Sequence, residues 1–400
     1  MHPRIFLLLL IAACMPLPSA AESAPPLRVA TFNTSLNDDA AGGLVRRLET
    51  GDDNARKVAA VLQRVRPDLV LLNEFDYDAG HHAADLFQQR YLETPQPLGG
   101  AALHYPYRYL APVNTGVPSG LDLDGDGRSD GPGDAWGFGR HPGQYGMLVL
   151  SRYPIDAALV RTFRQLPWSA LPDARRPLDP ATGRPWHADA TWRQLRLSSK
   201  SHWDVPVLTP AGTLHFLVAH PTPPVFDGPE DRNGARNADE IGFWKHYLSD
   251  DDGASPDGNT ATWLCDDAGR CGGLPAQARF VIAGDMNNDP ADGDGRHDAI
   301  IGLLEHPRVL RAPTPASEGG ADAARAYAAA GLVRRGAPGH VTGDFGPRTG
   351  ALRLDYVLPS IGLAVVGSGV FWPRTDDPAA ALNAASDHHL AWVDLRQAHD

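Results

Sequence analysis

The sequence predicts one α/β domain running from about residue 25 to residue 400, and three observations predict it. Short, fully apolar runs such as Leu69–Leu72 and Phe280–Ala283 are bounded by turn residues, the mark of strands buried on both faces. Between such runs lie stretches of helical period, above all Asn54–Val65, with Val58, Val61, Leu62 and Val65 on one face. Strand-like runs outnumber helical ones and lie close together, and no unit of roughly 20–50 residues repeats, which sets a solenoid aside.

In chain order, Leu27–Thr31 alternates as a strand and ends at Phe32-Asn33. Asp52 and Asp53 can cap the helix Asn54–Val65, which Pro67-Asp68 breaks. Leu69–Leu72 runs into Asn73-Glu74, and a helix follows through Leu86–Tyr91. Tyr107–Leu110 and Gly146–Leu150 read as strands, as do Leu195–Leu197, Val205–Leu208 and Leu214–Ala219, the last ending at His220. Ala235–Leu248 is an amphipathic helix. The strand Phe280–Ala283 delivers Asp285 and Asn287, which point the same way in an extended chain. Helices are expected near Ala299–Leu304 and Ala321–Leu332. Leu352–Leu358 is a strand carrying Asp355, and Leu363–Trp372 is another. Ser386-Asp387-His388-His389 then leads into Leu390–Asp394. Long loops fall at 111–143, 163–193, 250–278 and 311–350.

Residues 1–21 have the pattern of an export leader: Arg4, an apolar run Ile5–Ala13 and the small residues Ser19-Ala20-Ala21. That run is too short to span a bilayer, which takes about 20 residues. A secreted or periplasmic protein is expected. Ile11-Ala12-Ala13-Cys14 also resembles a lipoprotein processing site, which would tether the protein at Cys14 instead. In an exported chain Cys265 and Cys271 read as a local disulfide, with a zinc pair as the alternative, although no second Cys/His pair has ligand spacing. The net charge of −12, or −13 once Arg4 is removed, counts against steady binding of long nucleic acid. No Gly-Lys-Ser/Thr phosphate loop, His-Glu-x-x-His or Gly-x-Ser-x-Gly occurs, so ATP-driven work, zincin proteolysis and serine hydrolysis lose their usual support.

Several strands thus end on polar residues: Asn33, Glu74, His220, Asp285 with Asn287, and Asp387 with His388. Thr31-Phe-Asn33, Leu71-Leu-Asn-Glu74, Val218-Ala-His220, Gly284-Asp-Met-Asn287, Leu354-Asp-Tyr-Val357 and Ser386-Asp-His388 resemble, in order, the motifs of the endonuclease/exonuclease/phosphatase superfamily. That group includes DNases, abasic-site endonucleases, neutral sphingomyelinases and inositol phosphate phosphatases. The resemblance covers nearly the whole mature chain. It implies two packed mixed β-sheets flanked by helices, a DNase-like four-layer α/β sandwich, with the site at one edge. It also implies Mg²⁺-dependent hydrolysis of a phosphate ester, Mn²⁺ being an alternative. Abasic-site enzymes carry Asp two positions after the first Asn, where Ser35 stands here, and His220 replaces their Tyr, so abasic-site repair is disfavoured.

The resemblance places Asn33, Glu74 and Asp387 near the metal, and oxygen ligands suit a hard cation. His388 is suited to proton transfer near neutral pH with Asp355 fixing its tautomer. Asp285 would position or deprotonate the attacking water, and either Asp285 or His388 is the base. His220 and Asn287 can donate to phosphoryl oxygens. Asp122, Asp124, Asp126 and Asp130 occupy the acidic positions of an EF-hand-like Ca²⁺ loop that lacks the closing Glu, with a solvated acidic turn as the alternative. Asp292–Asp298 is a shorter version. Arg232, Arg236, Lys200 and His202 could contact phosphate, although residues of this kind are more often ordinary surface charges. The expected function is an exported hydrolase of a small or lipid-linked phosphoester. Its alternatives are an extracellular DNA or RNA endonuclease and a non-catalytic, Ca²⁺-stabilised surface binding protein.

Overall fold

The apolar runs become thirteen strands in the computed structural model, which describes residues 25–249 and 263–398. They are β1 (Leu27–Leu36), β2 (Leu69–Phe75), β3 (Tyr107–Tyr109), β4 (Met147–Ser151), β5 (Arg161–Thr162), β6 (His202–Thr209) and β7 (Gly212–Ala219). Next come β8 (Phe280–Asp285), β9 (Gly343–Asp344), β10 (Ala351–Leu352), β11 (Asp355–Pro359), β12 (Leu363–Val370) and β13 (Ala391–Gln397). The leader, Cys14 and much of the 250–278 insertion lie outside the described residues.

β9 and β10 pair separately, and of the two main sheets one has six strands in the order β12-β13-β1-β2-β4-β3, the other five in the order β11-β8-β7-β6-β5. Both are mixed: β1–β2 and β7–β8 are parallel and their other pairings antiparallel. Apolar side chains fall into three clusters, one at each interface of a four-layer sandwich. Val29, Leu69 and Val149 of the first sheet meet Val205, Phe216 and Val281 of the second. On the outer face of the first sheet, Phe32, Val70 and Leu72 pack on Val58 and Leu62 of the helix Asp53–Val65. On the outer face of the second, Leu217, Phe280 and Ile282 pack on Ile241, Trp244 and Leu248 of the helix Arg232–Ser249. Strand alternation explains the division, since Val29 faces inward and Ala30 outward. Each fully buried side chain of this size contributes roughly 1.5–3 kcal/mol. The expected DNase-like architecture is therefore what the chain adopts.

Elements differ from expectation where a neighbour takes the backbone. Leu195–Leu197 is not a strand but a single antiparallel bridge, Arg196 with Pro167, and the Arg236 guanidinium takes the carbonyls of Arg196, Leu197 and Ser198. The single strand expected at Leu352–Leu358 is two: Leu352 pairs with Gly343 of β9, whereas Asp355 onward pairs with β8. Asp355 is consequently the first residue of β11. The helix expected at Leu86–Tyr91 is a short α-helix, His82–Leu86, continued by a π-turn, Phe87–Leu92. The two later helices are His297–Leu304 and Glu318–Ala329, the second capped by Ser317. Asp52 caps its helix as expected, accepting from the Ala55 N–H at 2.7 Å. Cys265 and Cys271 form the expected disulfide. No described helix is long and apolar enough to cross a membrane.

Candidate active site

β1 and β2 run parallel with Asn33 opposite Asn73, while Asp285 of β8 stands opposite Asp355 of β11. These pairs bring the polar ends of both sheets to one place. Three ends turn through left-handed residues: Ser35 (φ 47°), Glu74 (φ 56°) and Asn287 (φ 51°). Such conformations cost side-chain-bearing residues about 1–3 kcal/mol and gather at functional sites. At Glu74 the turn has a visible result. Strict alternation would set its side chain beside Leu72 on the helix-covered face, yet its carboxylate meets Asn33.

Asp285 is the hub. Its Oδ2 accepts from Asn33 Nδ2 at 3.0 Å and lies 3.5 Å from His220 Nε2 and 3.5 Å from His388 Nε2. Its Oδ1 accepts from the Asn287 N–H at 2.9 Å, and its own N–H donates to Asn73 Oδ1 at 3.3 Å. The far nitrogen of His388, Nδ1, is 2.8 Å from Asp355 Oδ2. Asn33 Nδ2 also donates to Glu74 Oε1 at 3.0 Å, and Asn37 Nδ2 donates to Glu74 Oε2 at 2.9 Å. Asn33, Glu74, His220, Asp285, Asp355 and His388 are thus one connected set.

Two expected members stand differently. The left-handed turn at Asn287 means that its side chain does not run parallel to that of Asp285; its amide donates to the Pro221 carbonyl at 3.1 Å. The Asp387 carboxylate accepts from Ser386 Oγ at 3.3 Å and makes no hydrogen bond to the connected set, although its charge acts on Glu74 and His388.

Burial raises the Glu74 carboxyl above its ordinary range and lifts Asp285 to about 7. For His388, burial opposes the charge, but Asp355 and Asp285 on either side carry its pKa well above the usual value. Burial, aided by the nearby charges of Lys200 and His388, drives His220 well below its usual value and leaves it neutral. Its Nδ1 is buried with no hydrogen-bond partner. A cleft of about 540 Å³ opens beside Glu74, Lys200 and His220.

Other candidates settle into ordinary roles. Arg236 spends Nε and Nη2 on backbone carbonyls, whereas Arg232 lines the cleft and pairs through Nη1 with Glu230. His202 is buried between Ser198 Oγ and the Glu240 carbonyl. His389 stacks on Trp372, centroids 3.6 Å apart, as a bystander to His388. The carboxylates of Asp122, Asp124 and Asp126 converge, but Asp130 turns to Arg128 at 3.0 Å. Asp122 also accepts from the N–H groups of Gly125 and Gly127. In the shorter acidic stretch, Asp292 accepts from the N–H groups of Arg335 and Gly336. Asn37 and Asn73 are the site residues that sequence reading passes over. Alternation along β2 marks Asn73 as the inward partner of Asn33, whereas Asn37 lies past the end of β1 where no period points to it.

The family model described as Endonuclease/Exonuclease/phosphatase family matches residues 30–388. No curated protein matches the sequence. Among solved structures, the chain is similar to an endonuclease/exonuclease/phosphatase from Beutenbergia cavernae (19% identity, 93% of this chain and 72% of that one, TM-score 0.48). It is also similar to sphingomyelinase C from Streptomyces griseocarneus (18% identity, 93% and 99%, TM-score 0.44). A third is the human nocturnin catalytic domain with bound sulfate (13% identity, 94% and 94%, TM-score 0.45).

Proposed function

The chain belongs to the Endonuclease/Exonuclease/phosphatase family, whose members are metal-dependent phosphoester hydrolases, and from that premise we propose an exported, Mg²⁺-dependent hydrolase of a small or lipid-linked phosphoester. The observation that carries the reading is the placement of the Asp285 carboxylate. It sits between two imidazoles, one backed by Asp355, and is bridged by Asn33 to Glu74.

The donor set fits a hard divalent cation. Glu74 and Asp285 are carboxylates whose charge burial disfavours, and a cation is what would offset it. Glu74 would hold the ion, with the Asn33 carboxamide beside it and Asp387 contributing charge from further away. When bound, the ion would neutralise phosphoryl charge and polarise the ester. The close group of Asp285, Asp355 and His388 is better read as a proton path than as ligands, because 2.8 Å between Nδ1 and Oδ2 is a hydrogen bond.

Asp285 takes the proton of the attacking water. His388, held charged by its two carboxylate neighbours, donates through Nε2 to a phosphoryl oxygen as charge builds there. Asp355 fixes the ring so that Nε2 faces the reaction. Neutral His220 supplies a second ring nitrogen on the other side of Asp285. Of the two candidate bases, Asp285 suits the role, because His388 already carries its proton.

The test is hydrolysis of bis(p-nitrophenyl) phosphate and p-nitrophenyl phosphate by the purified chain with Mg²⁺. Asp285→Ala and His388→Ala should each lower kcat by roughly 100-fold or more. Turnover that persists in EDTA, or that survives both substitutions, overturns the reading. Export is supported by the leader pattern and by the Cys265–Cys271 disulfide, since disulfides persist in oxidising compartments. The N-terminal mass of the protein recovered outside the cytoplasm distinguishes cleavage near Ala21 from lipid on Cys14; full-length protein retained inside sinks the idea.

A further inference from the structure

The cleft beside Glu74 is lined by two unlike sets of side chains. One set is apolar: Leu123, Trp168, Leu195, Val225 and the rings of Phe138 and Phe226. Those two rings stand in solvent, 57% and 87% exposed, so they add little to the core. Phe226 is moreover left-handed (φ 67°), a conformation that costs a bulky residue energy, and the fold accepts that cost while leaving the ring at the cleft.

Lys200 belongs to the second set. It is only 6% exposed and borders the same cleft as Glu74 and His220; its carbonyl accepts from the Asn114 N–H at 3.0 Å, but its ammonium makes neither a hydrogen bond nor an ion pair with any described residue. Glu240, Glu74 and Asp285 act on it only at longer range. The contrast with its neighbours is informative. Arg236 and Arg232 line the same cleft, but Arg236 bonds backbone carbonyls through Nε and Nη2, and Arg232 is ion-paired through Nη1 with Glu230. A buried ammonium without acceptors costs several kcal/mol, and that cost is offset when an anion enters. A compartment of about 540 Å³ is the size that holds one small organic molecule.

We propose that Lys200 anchors an anionic oxygen of the bound phosphoester and that the apolar cleft beyond it holds the ester's apolar or aromatic alcohol portion. This rests on the reading of the Asp285 centre as a phosphoesterase and narrows its substrates to compact esters with one apolar arm. The Lys200 ammonium donates to the oxygen, while Leu195, Trp168 and the two exposed rings remove the arm from water.

Calorimetric titration of the full chain in Mg²⁺ with methylphosphonate and phenylphosphonate tests this, because neither is an ester and neither turns over. The wild type should bind the phenyl compound roughly tenfold or more tighter, the value of burying one ring in part. Replacing both rings (Phe138→Ser with Phe226→Ser) should remove that preference and leave methylphosphonate affinity unchanged. Lys200→Met should weaken both compounds by roughly 10- to 100-fold, the value of a hydrogen bond to a charged group. Lys200→Arg should recover part of that loss. Lys200→Met should also melt no lower than the wild type, which a residue with a merely structural role would not do. Equal affinity of the wild type for both phosphonates overturns the proposal, and so does undiminished binding by Lys200→Met. A wild type that binds with the expected preference but cleaves no ester overturns the hydrolase reading and leaves the anchoring role standing. An active wild type indifferent to Lys200→Met overturns the anchoring role alone.

Discussion

His202 shows how a residue of the site's own sequence neighbourhood can serve only the fold. Its Nε2 donates to the Glu240 carbonyl at 2.8 Å, so Nδ1 accepts from Ser198 Oγ at 2.7 Å, and the ring lies against Phe243 and Trp244. Burial pushes its pKa from 6.5 down to about 4. The unfolded chain therefore takes up a proton at this residue near 6.5, which the folded chain refuses until near 4. The stability it contributes is full above that window and is lost as pH falls through it, by up to about 3 kcal/mol. Melting temperature recorded from about pH 7 to about pH 4.5 should fall, and fall less steeply in His202→Gln; parallel slopes would remove His202 as the cause. At this scale the sequence revealed residue types better than directions. Glu74, His220 and Asp285 stood out because each follows an apolar run, and His388 because it leads into one. The side-chain direction of Asn287 was not legible, because one left-handed residue cancels the period of two on which such a reading depends.

Strands β7 and β8 leave no room for a side chain at Gly284, where a Cβ would stand 2.0 Å from the Ala219 carbonyl oxygen. A side chain there must push apart the strands that deliver His220 and Asp285. Gly284→Ala should cost about 3 kcal/mol and lower the melting temperature together with activity. Gly242, within the helix Arg232–Ser249, is the control: nothing lies within 4 Å of its would-be Cβ, so Gly242→Ala should gain about 0.5–1 kcal/mol. Thermal melts of the two variants should move in opposite directions, and equal shifts would contradict the steric argument. Long elements such as β8 and the helix Asp53–Val65 were legible because period and caps agreed. Short ones were not. β5, β9 and β10 are two residues each, β5 held by β6 far along the chain and β9 and β10 by each other, and the helix Gly43–Thr50 begins with no side-chain cap.

For the whole molecule, hydrophobic pattern alone indicates strands and helices but not which strands share a sheet. Leu69–Leu72 and Phe280–Ala283 read alike, yet they belong to different sheets. The division into two sheets was legible only through the ordered motifs and their resemblance to a known family. The ladder that joins β8 to β11 has a consequence for the molecule's endurance. It sets Asp285 directly opposite Asp355, two carboxylates facing across adjacent strands, an arrangement that disfavours the folded state. His388 relieves this only in part, and Asp355 Oδ1 is buried without a partner. Asp355→Asn keeps an oxygen for His388 and turns an amide toward that vacant side. The variant should melt no lower than the wild type, and by up to about 1 kcal/mol higher, while kcat falls steeply. A clearly lower melting temperature, read by calorimetry, would show that the carboxylate is structural. The chain has thus kept a pair of charges that trades thermal endurance for reactivity, and a stabilised but inert protein lies one atom type away.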